Sequence, residues 1–170
     1  MGDQDRAIEY GHQALTIADA VDEFTLRLRA NTYLGQTYYA LGDYRRAAGF
    51  LVRNVDILDN ERMLRHYGFA QLPSVHSRTC LVWCLAELGE FEEGVRIGRD
   101  AIRIAESVDH PFTLATAHAG IGVLYVRQGN LDPHDAEALQ LELRRLAKRY
   151  GRIKDLQIET TTTKPDGRSA

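Results

Sequence analysis

The sequence predicts an all-α fold in which helical hairpins stack on one another. The chain has 170 residues, of which only four are proline. Four similar turns recur along the chain, and their glycines lie 40, 47 and 40 residues apart. Between the turns, apolar residues recur at the three- and four-residue steps of an amphipathic helix. A hairpin of two such helices cannot cover its own apolar face, so neighbouring hairpins are expected to stack into a solenoid.

The composition is that of an ordinary globular protein. Hydrophobic residues make up 44% and charged residues 26% of the chain, and the net charge is -3. This charge gives no reason to expect a nucleic-acid or anionic-membrane partner. No apolar run approaches the ~20 residues of a membrane-spanning helix, and the N-terminus lacks a secretory pattern. Two cysteines are too few for a secreted disulfide framework, so we expect a cytoplasmic protein.

An ungapped shift of 87 residues shows that the repeat extends over more than one turn. Matches continue for more than forty residues, which chance rarely sustains. The shift pairs Gly11 with Gly98, Ala14 with Ala101, Ile17 with Ile104, Ala18 with Ala105, Val21-Asp22 with Val108-Asp109, Ala30 with Ala117, Gly35 with Gly122 and Tyr38 with Tyr125.

Each repeat is predicted to contain two helices. Glycine can adopt the left-handed conformation that ends the first helix, and the Asp, Glu or Asn after it is expected to cap the second. Small residues such as Gly35 and Ala101 would let the helices approach closely. The apolar positions of one hairpin are Ala30, Tyr33, Leu34, Tyr38 and Leu41 in its first helix, and Ala47, Phe50, Leu51, Val55 and Leu58 in its second.

The repeat array is predicted to span residues 1–132. Because the chain enters at an inter-helix turn, we expect it to begin inside a longer array or to have lost its N-terminal partner helix. Residues 59–72 are predicted to hold a short helix packed over the array edge. Residues 133–151 predict an amphipathic helix that caps the array, and 152–170 a strand-like arm or flexible polar tail. The apolar stripe of the capping helix consists of Ala136, Leu139, Leu143, Leu146 and Tyr150.

The turns and helix positions resemble those of the tetratricopeptide repeat. The matching residues are Leu34-Gly35, Tyr38, Leu41-Gly42-Asp43-Tyr44 and Ala47 in one unit and Ile121-Gly122, Tyr125 and Gly129 in the last. The unit around Leu88-Gly89-Glu90-Phe91 matches less closely, with Gly94 where the family pattern prefers Ala. The resemblance implies a right-handed superhelix with a concave groove.

A narrower resemblance concerns the longer-helix variety of this repeat. Residues 72–78, 83–91, 103–106 and 109–112 are similar to the C-terminal repeat region of bacterial multidomain signalling proteins that join an adenylate cyclase to a P-loop ATPase. This resemblance covers residues 1–132 and carries no catalytic residue over. The chain has no GxxxxGK phosphate loop and no serine or cysteine in a triad context, so we expect no enzyme activity and no cofactor.

Family geometry assigns candidate partner-binding residues to the first helix of each hairpin. Aromatic and arginine side chains are suitable anchors for a protein or peptide partner. The alternative is that Tyr39 and Trp83 fill core between helices. The assigned residues are Arg29, Thr32, Gln36, Tyr39, His76, Thr79, Trp83, Glu87, Thr116, Val123, Val126 and Arg127.

Two other clusters invite a functional interpretation. His76, Cys80 and Cys84 recur every four residues on one helix face, yet three such ligands would span about 12 Å, too far for one ion with ~2 Å bonds. We therefore predict buried thiols and no metal. The basic residues Arg144, Arg145, Lys148, Arg149, Arg152 and Lys154 form a cluster that is expected to be a solvated helix face, with phosphate or acidic-partner binding as the alternative.

Together these features predict a non-enzymatic scaffold or regulatory module that binds a peptide or partner domain in the concave groove, within bacterial signalling. Two alternatives remain open. One is an effector-sensing domain of an ATPase-type regulator, and the other is self-association into a homo-oligomer through the ends of the array.

Overall fold

The computed structural model describes residues 3–129, and these form six α-helices and one short 3-10 helix, with no strand in that range. The predicted capping helix 133–151, the arm or tail 152–170 and the basic cluster lie outside the described residues. In chain order the helices are α1 (Asp3–Ala20), α2 (Phe24–Ala40), α3 (Tyr44–Ile57), the 3-10 helix (Asn60–Leu64), α4 (Pro73–Leu88), α5 (Phe91–Glu106) and α6 (Pro111–Gln128).

The helix ends follow from local chemistry. Asp43 accepts a hydrogen bond from the backbone N–H of Arg46 at the start of α3, and Glu23 caps α2 in the same way. Gly89 ends α4 at φ 75°, a left-handed conformation that costs glycine little. The expectation that Glu90 caps α5 is wrong, since its side chain makes no capping hydrogen bond. Prolines begin α4 and α6, where a missing N–H is harmless.

Consecutive helices pack against one another, and α4 is the most enclosed because α3, α5 and α6 all contact it. The predicted close approaches are present: a Cβ on Gly35 would lie 2.8 Å from Leu51 Cγ, so α2 and α3 touch through that glycine. The main apolar cluster consists of Leu34, Tyr38, Ala47, Leu51, Cys80, Leu81, Val82, Cys84, Leu85, Ala86, Ile97 and Leu124.

Two residues of the apolar stripe predicted for the first helix of this hairpin are not core residues. Tyr33 and Leu41 are exposed, while Phe50 and Val55 of α3 are half-buried. Helix α2 packs on both α1 and α3, so its buried surface is wider than one stripe, and spacing alone does not show which face remains in solvent. None of the helices in the described range is long and apolar enough to span a bilayer.

The long connection holds the predicted short helix, as a 3-10 turn, and is tied to α2. The guanidinium of Arg29 donates to the carbonyl of Gly68 at 3.2 Å and lies 4.6 Å from the ring centroid of Phe69. The rings of Phe24 and Tyr67 are 5.0 Å apart. These contacts place residues 67–69 against α2.

Candidate partner-binding face

Six residues on α2, α4 and α6 are linked in pairs across neighbouring helices, and we name this surface the α2–α4–α6 face. The Gln36 side-chain amide is 3.0 Å from Nε2 of His76, which joins α2 to α4. The other links are the rings of Tyr39 and Trp83, with centroids 6.3 Å apart, and the ion pair between Arg127 of α6 and Glu87 of α4, at 2.8 Å. The sequence analysis assigned all six.

His76 lies at the meeting point of three segments. Its Nδ1 is 2.5 Å from the side-chain amide of Gln71, and Gln71 Oε1 accepts a hydrogen bond from Thr116 of α6 at 2.7 Å. Burial lowers the pKa of His76 below its ordinary value. Sequence reasoning missed Gln71, because it lies in the one connection without repeat pattern; its position two residues before Pro73 at the start of α4 is the only available signal.

The two rings of the face, Tyr39 and Trp83, form a cluster of three half-buried rings with Tyr44. Tyr39 contacts Trp83 of α4 and Tyr44 of α3, whose centroid is 5.3 Å away. Burial, with the negative charge of Glu87, raises the pKa of Tyr39, so the phenol stays protonated near neutral pH. Trp83 Nε1 is buried and has no hydrogen-bond acceptor among the described residues. Each ring packs on neighbours and also keeps exposed surface, so the assignment of these rings to a partner-binding groove stays a prediction.

Glu87 and Arg127 supply the charges of the face. The bond joins Arg127 Nε to Glu87 Oε1, and both side chains retain solvent contact. An ion pair this exposed contributes only about 0–1 kcal/mol to stability. Its main consequence is therefore positional: two opposite charges are held at the same end of neighbouring helices, and both keep contact with solvent.

Three of the assigned residues have structural roles instead. Thr32 and Thr79 are buried, which corrects their assignment to an accessible groove. The Thr32 hydroxyl donates to the Leu28 carbonyl and accepts from the side chain of Asn54, while Thr79 donates to the Thr116 carbonyl of α6. The side chain of Arg29 contacts Gly68 and Phe69 of the long connection. Val123 is half-buried and Val126 is exposed on α6.

The two cysteines are free, buried thiols. Burial raises the pKa of Cys80 to about 11 and that of Cys84 to about 12, so neither is a thiolate at neutral pH. Cys80 Sγ lies 3.8 Å from Nε2 of His76. Within residues 3–129, no group of three or more His, Cys, Asp or Glu side chains is arranged to hold a metal ion.

Comparisons with known protein families, with curated proteins and with solved structures find no match to this chain.

Proposed function

We propose that the chain is a non-enzymatic protein-interaction module of the tetratricopeptide kind, which binds a peptide or a partner domain along the α2–α4–α6 face. In this proposal the helices form a right-handed superhelix whose inner wall is that face. The observation that carries the proposal is the pairing of anchors across helices: Gln36 with His76, Tyr39 with Trp83, and Glu87 with Arg127.

The pairing favours binding because it reduces the side-chain conformational entropy that is lost when a partner binds. Side chains already held by a neighbour lose little freedom on association, and each immobilised free side chain would otherwise cost about 0.5–1.5 kcal/mol. The ring cluster offers area for an apolar side chain, and the Glu87–Arg127 pair offers a donor and an acceptor beside it. An extended segment with one apolar anchor and a nearby charge matches this arrangement.

The resemblance to bacterial signalling proteins supplies the biological setting of the proposal. The module would regulate a cytoplasmic ATPase or cyclase by recruiting or releasing a partner. Binding would need little backbone change, as in other pre-organised interfaces.

The test uses an exchange of the two charges on the face. In Glu87→Arg/Arg127→Glu the ion pair can reform, so we expect native helicity and a melting temperature within a few degrees of wild type, while a partner meets inverted charges. Immobilised wild-type protein, this variant and Tyr39→Ala would be used to capture partners from a bacterial lysate. Captured proteins would then be purified and titrated calorimetrically against each form.

A matched control changes two exposed residues elsewhere, Val52→Ala/Arg53→Ala on α3. The proposal expects the control to bind as wild type, and both face variants to lose at least about tenfold in affinity, because central aromatic and charged anchors carry most interface energy. A purified partner that binds all four forms equally would contradict the α2–α4–α6 face as the binding surface.

An effector-sensing function is the second candidate, and a cleft on another side of the helices favours it. The cleft, of about 330 Å³, is lined by residues that include Leu81, Leu85 and Leu88 of α4 and the charged residues Arg45, Glu90 and Glu93. That volume is at the small end of ligand pockets. A metabolite that raises the melting temperature of wild type with concentration, and of Gly49→Leu much less, would support this candidate.

A further inference from the structure

The connection before α4 covers one end of the α2–α4–α6 face, and we name its residues 65–71 the strap. The strap contacts Arg29 of α2, His76 of α4 and Thr116 of α6, each within the first two turns of its helix. Arg29 lies seven residues, or about two helical turns, before Gln36, so both are on the same side of α2. A segment of the chain itself therefore lies where the face continues towards the starts of these helices.

On α2, the strap is held by its main chain and by one ring. The guanidinium of Arg29 donates to the carbonyl oxygens of Tyr67 and Gly68, at 3.5 and 3.2 Å. The same guanidinium lies 4.6 Å from the ring centroid of Phe69. Any peptide can supply the carbonyl oxygens, whereas the attraction between a cation and a ring requires an aromatic side chain. The contacts of Arg29 thus suit a peptide segment that carries an aromatic residue.

On α4 and α6, the strap is held by the side-chain amide of Gln71. Its Nε2 lies 2.5 Å from Nδ1 of His76, and its Oε1 accepts a hydrogen bond from the hydroxyl of Thr116 at 2.7 Å. An amide offers both a donor and an acceptor, whereas an ionised carboxylate only accepts. This end of the face therefore selects a side-chain amide two residues after the aromatic ring.

The strap is held less firmly than the residues that flank the connection. Every residue of the strap is half-buried or exposed, whereas Leu58 before it and Leu72 after it are fully buried. Tyr67 has a φ of 47°, a left-handed conformation that residues other than glycine rarely adopt, so release of the strap relieves strain. Segments with few buried contacts open at a lower free energy than the core. The strap can therefore open while both of its ends stay fixed.

We propose that the strap is an internal occupant of the binding face and that a partner segment displaces it, an inference that rests on the proposed function. The segment carries an aromatic residue and, two residues later, a side-chain amide, which replace Phe69 and Gln71. A tethered strap competes at an effective concentration of roughly millimolar, so only a segment that binds the open face more strongly opens it. Displacement adds Arg29 to the surface that the partner contacts.

A peptide with the sequence of residues 64–72 is the probe for this site. The released variant Tyr67→Gly/Phe69→Ser/Gln71→Ser keeps the length of the connection and removes the side chains that hold the strap. The labelled peptide would be titrated against wild type and the released variant by fluorescence anisotropy. We expect the peptide to bind the released variant, and to bind wild type at least about tenfold more weakly, because the strap of wild type competes with it.

Substitutions in the protein and in the peptide locate the contacts. In the released variant, Arg29→Ala should weaken peptide binding at least about tenfold, whereas Arg99→Ala, which changes an exposed arginine of α5, should leave it unchanged. A peptide with Phe69→Ala/Gln71→Ala should also bind at least about tenfold more weakly. Circular dichroism and cooperative urea unfolding would show that each variant is folded.

Three results of these titrations would overturn the proposal. They are a folded released variant that does not bind the peptide, equal affinity of the peptide for wild type and the released variant, and equal affinity of the two peptides.

Hydrogen exchange of wild type gives a second test, which does not need the released variant to fold. The backbone N–H of Phe69 donates to the carbonyl of His66 at 2.8 Å. If the strap opens while the helices stay folded, this amide should exchange at least about 100-fold faster than the central amides of α4. Exchange at equal rates would show that the strap opens only when the protein unfolds, which would overturn the proposal.

Failure of the strap proposal and failure of the proposed function give different results. A captured partner that requires Tyr39 and the Glu87–Arg127 pair, but binds wild type and the released variant equally, would overturn the strap proposal alone. A strap peptide that binds as expected, together with a captured partner that ignores the face variants, would overturn the proposed function and leave the strap site in place.

Discussion

At the scale of single residues, Gly94 shows how a departure from a sequence pattern becomes a packing requirement. The family pattern prefers Ala there, yet a Cβ on Gly94 would overlap Leu124 Cδ1 of α6, and it would also lie 3.6 Å from Leu85 of α4. Glycine lets a buried leucine of α6 occupy the space of the missing methyl group. By contrast, Gly49 of α3 has no atom within 4 Å of an added Cβ.

This contrast leads to a paired prediction on the free energy of unfolding. Gly49→Ala should raise it by about 0.5–1 kcal/mol, because alanine favours helix and meets no neighbour. Gly94→Ala gains the same helix preference but overpacks the core, so it should lower the free energy of unfolding by about 1–3 kcal/mol. Equilibrium urea denaturation of both variants measures the difference. Equal stability of the two would show that Leu124 relaxes freely.

His76 gives the residue-scale prediction for pH. Because burial lowers its pKa in the folded protein below the ordinary 6.5, the unfolded chain binds the proton more readily between the two values. The stabilising contribution of neutral His76 is therefore complete above about pH 6.5. It is lost as the pH falls through the pKa of His76 in the unfolded chain towards its lower pKa in the folded protein. We expect the free energy of unfolding to fall less between pH 7.5 and pH 5 in His76→Gln than in wild type.

Urea denaturation at those two pH values is the measurement, and His12→Gln, which changes an exposed histidine on α1, is the control. If His76→Gln and wild type lose the same stability on acidification, then protonation of His76 is not opposed by folding.

At the scale of helices, burial is distributed unevenly. In α4, 11 of 16 residues are buried, whereas in α1 only Ala18 of 18 residues is buried. The reason is position in the helix order, since α4 packs on α3, α5 and α6 and also touches α2, whereas α1 packs mainly on α2. Hydrophobic burial is the main source of helix stability in proteins, because isolated helices of this length are marginal in water.

Amide hydrogen exchange should therefore rank the helices. We expect the central amides of α4 to exchange only through global unfolding, and those of α1 to exchange at least about tenfold faster, because helices with few buried contacts open locally. Mass spectrometry of proteolytic peptides would measure this. Slower exchange in α1 than in α4 would contradict the ranking.

At the scale of the whole described molecule, residues that the repeat aligns in sequence also make equivalent contacts in the structure. Gly11 meets Leu34 as Gly98 meets Ile121, so the 87-residue shift pairs equivalent contacts. Equivalent residues nevertheless differ in burial: the side chain of Ile104 is buried, and that of Ile17 is exposed. A repeat array gives each unit similar chemistry, but only a neighbouring unit turns that chemistry into core.

Sequence alone was sufficient for the helical class and the hairpin turns, because helical periodicity and glycine turns are local signals. The resemblance to the tetratricopeptide repeat assigned the six residues of the face to a groove, and that groove stays a prediction. Tertiary packing decided the rest. It made Thr32 and Thr79 internal, left Tyr33 exposed, bound Arg29 to the connection and brought Gln71 to His76. These outcomes depend on which helix lies beside a given face, and that is set by contacts between residues far apart in the chain, which no local pattern records.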